Sequence, residues 1–470
     1  MTAGPDAAER SSGPTVDERV AVGLRARQAV PPDSLGSYAA APTRPDPVGL
    51  LQQQGATRVK DLVPIRYGRM LASPFAFYRG AALIMASDLS TGPRSGLEAQ
   101  LCGDAHLSNF GAYASPERRL VFDINDFDET NPGPFEWDVK RLVTSMEVAG
   151  LDRGFDKKAR NQILRATTRG YREAMRALAG QANLDVWYAS IDVDAMMRQL
   201  QPQLSKQARK TSDRNVGKAR TRNSLQAARK LTEVIDGQRR FIDSPPVIER
   251  AESLLGRQDV SMEASISSLP RAWEQYVETL QPDRRHLLSE YHYVDLARKV
   301  VGVGSVGTQA WALLLQGRDA DDLLLLQLKE AQASVLEAFT RSSSHVQHGE
   351  RVVNGQRLLQ SASDIFLGWS SLLGVDYYVR QLRDWKVSAD LDAMDADTMG
   401  VYGRLCGATL AKGHARSGDR VAISAYIGDD EAFDDAMKSF ARVYAEQNQS
   451  DYAALQAAAR SGAITVTEGV

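Results

Sequence analysis

The sequence predicts an α+β protein, with strand-forming and helix-forming segments segregated along the chain instead of alternating. Three observations carry this. NFGAYAS (109–115) and RLVFDIND (119–126) flank the polar turn SPER and read as a β-hairpin. A second strand-rich block begins near residue 294, where VDLARKVVGVGSVGTQAWALLLQG leads into DDLLLLQLKEA, a Gly-rich turn between apolar runs. Between the two blocks, WDVKRLVTSMEVA (137–149) sets Val139, Leu142, Val143, Met146 and Ala149 at helical spacing, and residues 155–290 read as mostly helical and polar.

Taken in order, residues 1–45 are rich in Ala, Pro, Ser, Gly and charge and read as a disordered or loosely attached arm. VPIRYGRMLASPFAFYRG (63–80) is punctuated by proline and carries Arg66, Arg69 and Arg79 among aromatics; residues 81–88 read as helix. Segment 205–230 holds nine Lys/Arg against one Asp, read first as a solvated face and second as a binding surface. HVQHGERVVNGQRLLQSAS (345–363) reads as a helix, and DIFLGWSSL and DYYVRQLRDWK (376–386) as strands. TMGVYGRLCGATLAKGHARSGD ends in a helix with a Gly-containing stop. The resulting divisions are 1–45, 46–150, 151–290, 291–390 and 391–470.

With 470 residues, 43% hydrophobic and 25% charged, the chain has an ordinary globular composition and room for several domains. A net charge of −2 gives no field favouring nucleic acid or an anionic membrane, so neither partner is expected. Two cysteines, Cys102 and Cys406, exclude a disulfide framework and a cysteine zinc site. They suit a reducing compartment, and a cytoplasmic location is expected. The first twenty residues lack an apolar core, and no run approaches the ~18 apolar residues of a membrane span, so neither a leader nor a transmembrane helix is expected.

The first chemical signal is CGDAHLSNFG (102–111). Asp104 and Asn109 are separated by four residues, the spacing with which phosphoryl-transfer sites pair a proton-accepting Asp with a metal-holding Asn. Asp104 is then the candidate base, Asn109 a candidate magnesium ligand, and His106 a residue that orients the loop. Magnesium prefers hard oxygen donors and keeps several waters, so one amide and one carboxylate suffice. VFDINDFDE (121–129) supplies the carboxylate: Asp126 is the preferred ligand, with Asp123 and Asp128 as competitors. Acidic residues this close repel one another without a cation. The plain alternative is an Asp-rich turn bonded to its own backbone.

The second signal is Gly302, Gly304, Ser305 and Gly307 in GVGSVG. A dinucleotide site needs a helix after these glycines, whereas the following AWALLL reads as a strand. A glycine loop joining two strands is the other phosphate cradle. Twenty-two residues past Gly307 the run LLLLQL ends in Lys329, where such a site places its phosphate-holding lysine. Glu350, 21 residues later, is the candidate partner of Lys329, with Glu337 as the substitute. A Gly-rich hairpin, a surface lysine and solvated glutamates are the plain alternatives. Arg66, Arg69 and Arg79 either face a substrate phosphate or carboxylate or make ordinary salt bridges.

GDAHLSNF followed by DINDFDETNPGPFEWDVKRL resembles the catalytic and metal segments of aminoglycoside phosphotransferase and choline kinase-type enzymes. Those carry an HGDxHxxN loop, an IDFE-like metal site and an Asp-bearing helix; Asp104, Asn109, Asp126 and, in FEWD, Asp138 match. From about residue 60 to the C-terminus, SPFAFYRG, GDAHLSNFG, NDFDET and KVVGVGSVGT resemble the bacterial family called domain of unknown function 2252. The kinase resemblance implies a two-lobed, protein kinase-like fold that uses ATP and Mg2+. Its halves stand in reversed order here, which implies a circular permutation. Residues 46–150 and 391–470 then belong to one lobe and 291–390 to the Gly-loop lobe, while 151–290 is a helical insertion able to bind an acceptor. The implied activity is phosphoryl transfer from Mg-ATP to a hydroxyl or amine of an unknown small-molecule or protein acceptor. Cys102-Gly103 departs from the usual His-Gly, so an inactive nucleotide-binding module stands beside it. Three rival functions fit parts of the same pattern: nucleotidyl transfer, a metal-dependent hydrolase built on Asp104, His106, Asp123 and Asp126, and a scaffold using 205–230.

Overall fold

The structure, a computed structural model, describes residues 13–200, 217, 224–255, 260–300, 302–382, 385 and 387–469. In chain order the strands are β1 (Glu98–Leu101), β2 (Phe110–Ala114), β3 (Leu120–Ile124), β4 (Asn131–Pro134), β5 (Thr232–Ile235), β6 (Gln238–Phe241), β7 (Ile248–Arg250), β8 (His292–Lys299), β9 (Ala310–Gln316), β10 (Leu323–Ala331), β11 (Gly368–Leu372), β12 (Val375–Gln381) and β13 (Val387–Ser388). The main sheet has the order β11-β12-β10-β9-β8-β7 and is antiparallel throughout. Smaller sheets pair β1 with β4, β5 with β6, and β13-β2-β3. Helices gather outside these sheets, so the class is α+β, as the sequence predicts.

The LLLL run of β10 is continuous because both of its faces are covered. Leu324 and Leu326 join Trp311, Leu313, Tyr276 and Val379 on one face. Leu323 and Leu325 join Ala227, Ala228 and Phe241 on the other. Towards its end the second face changes character. Lys329 lies directly across from Tyr378 of β12, and Ala331 and Tyr378 pack with Val352, Val353 and Leu359 of the helix His348–Leu359.

The remaining helices build the larger core. Phe135–Asp152 is buried at every position from Phe135 to Gly150, as befits a helix enclosed on all sides. Lys157–Ala179 and Ala396–Ser417 touch through their backbones: a Cβ on Gly407 would lie 2.2 Å from the Thr167 carbonyl.

Two expectations are corrected and a third is refined. Residues 13–45 are not a loose arm. Val16–Ala29 is a helix closed by a Thr15/Glu18 capping box, and it docks on the helix Arg420–Ile427, where Arg27 Nη1 donates to the carbonyls of Tyr426 (2.8 Å) and Ile427 (2.6 Å). Its Ala- and Arg-rich composition suits a docked helix as well as it suits disorder. Secondly, 151–290 is mostly helical, as expected, but also carries strands. β5 and β6 form a hairpin around Asp236-Gly237, both at positive φ (49° and 77°), an Asp-Gly turn signal that helical periodicity passes over. Thirdly, β7 pairs with β8, so the main sheet runs across the expected boundary at 290. The basic segment 205–230 falls outside the described residues, apart from 217 and 224–230.

Candidate functional site

The 102–109 loop is held from below by the helix Phe135–Asp152. The two carboxylate oxygens of Asp138 accept the backbone N–H groups of Cys102 (2.8 Å) and Gly103 (3.1 Å). His414 Nε2 stands 3.3 Å from the same carboxylate, and Tyr171 Oη meets His414 Nδ1 at 2.8 Å. Gly103 is demanded twice over: its φ is +84°, and a Cβ there would lie 2.0 Å from the Glu129 carbonyl. Leu107 N–H donates to Ser145 Oγ at 3.0 Å.

These bonds present the candidate residues. Asp104 Oδ1 accepts from Arg141 Nε (2.9 Å) and stands 2.8 Å from Nη2, while Oδ2 lies 3.6 Å from His106 Nε2. Asn109 Nδ2 donates to the Asp104 carbonyl at 2.7 Å, which leaves the amide oxygen as its acceptor end. His106 is buried, and that burial pulls its imidazole down to about 4, with Asp104 opposing and Arg79 and Arg141 assisting. It is therefore neutral at pH 7.

The acidic turn after β3 is tied to the main sheet. Lys329 Nζ pairs with Asp128 and lies 3.9 Å from Asp126 Oδ1, and Tyr378 Oη donates to Asp128 Oδ1 at 2.8 Å. Burial opposes the Lys329 charge, but Asp126 and Asp128 outweigh it and keep the ammonium protonated. Arg351, fully enclosed, donates to the carbonyls of Thr130 (2.5 Å), Asp128 (2.8 Å) and Gln332 (2.7 Å). Glu129 accepts the Val335 N–H at 2.7 Å, and its enclosure pushes the carboxyl up to about 7.

The 302–307 loop between β8 and β9 closes the other side. Its carbonyls are gathered by the segment preceding the 102–109 loop: Arg69 Nη1 donates to Gly302 O (2.5 Å), Arg58 Nη1 to Val306 O (2.5 Å) and Val59 N–H to Gly307 O (2.8 Å). Gly302 and Gly307 sit at φ +73° and +93°, and a Cβ on Gly304 would lie 3.1 Å from the Arg79 carbonyl. The Ser305 carbonyl accepts from Thr308 Oγ1 at 2.8 Å.

One cavity of about 180 Å³ joins these parts. It is lined by Asp104, His106, Asn109, Asp126, Asp128 and Glu129, by Gly302, Gly304 and Ser305 of the glycine loop, and by Arg58, Arg66 and Arg79. The structure thus brings together both signals found in the sequence. Gly307 stands at the foot of the loop, and Lys329 lies behind the acidic turn.

Other expectations fail here. Glu350 does not meet Lys329: its carboxylate lies 3.7 Å from His345 Nδ1. Glu337 stands 3.7 Å from Arg351 Nε and accepts the Ser334 N–H at 3.0 Å. The reason is helical phase. The buried face of His348–Leu359 contains Arg351, Val352, Gln356 and Leu359, so the residue turned towards the acidic turn is an arginine one step beyond Glu350. Asp123 is also elsewhere. It is fully buried, paired with Lys412, and accepts from Ser361 N–H and Oγ at 2.9 Å each. Sequence reasoning passed over Arg58, Arg141, Glu129 and Arg351. Only Arg141 carried a readable signal, because it follows Asp138 by three residues on the same helical face.

Among the described residues no group of three or more His, Cys, Asp or Glu could hold a metal ion. A metal that needs such a set does not fit. Beside His106 the cavity offers hard oxygens, an amide at Asn109 and carboxylates at Asp126 and Asp128, which fit a magnesium ion that keeps most of its water.

A family model described as uncharacterized protein conserved in bacteria (DUF2252) matches residues 58–458. No curated protein and no solved structure matches the chain.

Proposed function

The chain belongs to the bacterial DUF2252 family, and from that premise we propose that it is an ATP- and Mg2+-dependent phosphotransferase acting on a hydroxyl or amine acceptor. The observation that carries the reading is the shared cavity: Asp104, Asn109 and Asp126 face it from one part of the chain, and Gly302, Gly304 and Ser305 from another. With them comes a circularly permuted, kinase-like reading of the fold. Its support is the run β8, glycine loop, β9, β10 with Lys329, helix His348–Leu359, β11 and β12, followed in space by the loop and acidic turn of residues 102–129.

In this function Asp104 takes the proton of the acceptor. Arg141 fixes one of its oxygens, and the other lies on the His106 side. Neutral His106 orients that carboxylate. Asn109 and Asp126 would hold magnesium, which when bound neutralises charge on the phosphoryl group. The backbone N–H groups of the glycine loop cover the phosphates. Lys329 takes a different role from the one expected of it, holding Asp126 and Asp128 in place.

Because Lys329 meets these carboxylates and not Glu350, nucleotidyl transfer, or nucleotide binding without turnover, is the second reading. Release of ADP, of pyrophosphate, or of neither separates the three. The hydrolase reading loses Asp123 to Lys412. Among the described residues no helix is long and apolar enough to cross a membrane. Both cysteines are free and buried, and a cytoplasmic site of action is proposed with the activity.

The test is thermal unfolding with and without Mg-ATP. Ligand at about 100 times its Kd adds roughly 2.7 kcal/mol. A magnesium-dependent rise in Tm that disappears in Asp126→Asn and Asn109→Ala is expected. No rise in the folded wild type at millimolar nucleotide ends the reading.

A further inference from the structure

Three arginines reach the cavity from the segment 58–79: Arg58, Arg66 and Arg79. Arg66, on the helix Val63–Met70, is fully buried (0% exposed). Its Nη2 donates to Gln54 Oε1 (2.5 Å) and the Gly80 carbonyl (3.2 Å), while its Nε and Nη1 are buried with no hydrogen-bond partner. Arg58 Nε and Arg79 Nε are buried and unpartnered as well. Among the described residues no carboxylate forms an ion pair with any of the three.

A buried cation without a counter-charge is costly, and natural folds retain one where something else supplies the charge. Burial and neighbouring Arg58 pull Arg66 down to about 9, against partial relief from Tyr67 and Glu129. None of the nearby carboxylates pairs with it: Asp104 is engaged by Arg141, Asp128 by Lys329 and Tyr378, and Glu129, which relieves it in part from a distance, accepts the Val335 N–H. An oxyanion would. Guanidinium forks bind phosphate oxygens in pairs. Three guanidinium groups and hard oxygen donors lining one cavity suit a phosphate that carries a divalent cation. A carboxylate has only two oxygens to share among the three. The cavity, about 180 Å³, is below the roughly 300–1,000 Å³ of pockets for drug-sized ligands; it matches the phosphate portion of a ligand whose remainder lies outside it.

We propose that Arg58, Arg66 and Arg79 form an oxyanion subsite that holds the phosphate groups of a phosphorylated ligand beneath the 302–307 loop. The subsite takes over the task expected of Lys329, whose ammonium is engaged by the acidic turn. It rests on the proposed function only for the source of the phosphate, which is either the nucleotide or a phosphorylated acceptor.

The probe is Mg-pyrophosphate, titrated calorimetrically into the full chain. Wild type binds, Arg66→Met and Arg79→Met weaken binding by about tenfold or more, and Arg66→Lys falls between, because an ammonium is a point charge without the fork. Ligand-free Arg66→Met melts at or near the wild-type temperature, since it removes an unpaired buried charge. Arg79→Met, on a less buried side chain, decides the matter if Arg66→Met does not fold. Displacement of pyrophosphate by ADP assigns the subsite to the nucleotide; simultaneous binding assigns it to the acceptor. Absence of binding to folded wild type at millimolar pyrophosphate, or equal binding by wild type and Arg79→Met, overturns the subsite even where Mg-ATP raises Tm. Pyrophosphate binding without nucleotide binding keeps the subsite and ends the nucleotide reading.

Discussion

His106 and Glu129 face the same cavity and are shifted in opposite senses by the same enclosure. The His106 imidazole is lowered to about 4, so below its ordinary value near 6.5 the unfolded chain binds a proton that the fold refuses. Its contribution is complete above pH 6.5 and lost as pH falls towards 4, by about 3 kcal/mol. The Glu129 carboxyl is raised to about 7, so its contribution is complete below the ordinary carboxylate range and lost as pH rises through 7. Between about pH 4.5 and 6.5 the two offset each other. Urea unfolding of Glu129→Gln should therefore show stability dropping on acidification more steeply than wild type. His106→Gln should show it dropping on alkalinisation. Parallel pH profiles in all three proteins would refute the assignment. Of the residues involved, Asp104, His106, Asn109 and Asp126 were legible because their spacing is local. The missing partners of Arg66 were not, since partnerlessness is a property of everything packed around a side chain.

At the scale of elements, the site hangs on cross-links between helices and strands. Lys412, on the helix Ala396–Ser417, pairs with Asp123 on β3, and both are buried. Lys412→Met strands a buried carboxylate and should cost about 3–5 kcal/mol in urea unfolding. Adding Asp123→Asn should restore much of it; additive losses would mean the pair is not coupled. Lys329→Met should cost less, because Asp126 and Asp128 are partly exposed (side chains 32% and 28%) and water can solvate them. The strands around the glycine loop and the helix His348–Leu359 were readable from periodicity. The error at Glu350 shows the limit of that reading. Periodicity finds a helix, but which residue meets the acidic turn depends on the rotation of the helix against β11 and β12, where one step swaps Glu350 for Arg351.

Across the whole molecule, the N-terminal helix belongs to the fold. A Cβ on Gly23 would lie 2.2 Å from the Ala422 carbonyl, and Tyr426 Oη donates to Val30 O at 3.0 Å. Deleting residues 1–30 exposes the Arg420–Ile427 helix and should lower Tm by a few degrees in calorimetry while unfolding stays cooperative. An unchanged Tm would mean that the helix contributes nothing in solution. The segment 58–79 is equally structural, roofing the cavity through Arg58, Arg69 and the 302–307 loop.

The α+β class, the β2–β3 hairpin, the glycine loop between two strands, and the Asp104, Asn109 and Asp138 constellation are all legible in the linear chain. Each is written in spacings shorter than one hairpin or a few helical turns, where chain geometry dictates what meets what. Packing in three dimensions was needed to pair Lys329 with Asp126 and Asp128, to give Asp123 to Lys412, and to turn three arginines towards the cavity without ion-pair partners among the described residues. Those outcomes depend on how elements distant in the chain rotate and pack, and on which charges that packing buries. No local spacing encodes either.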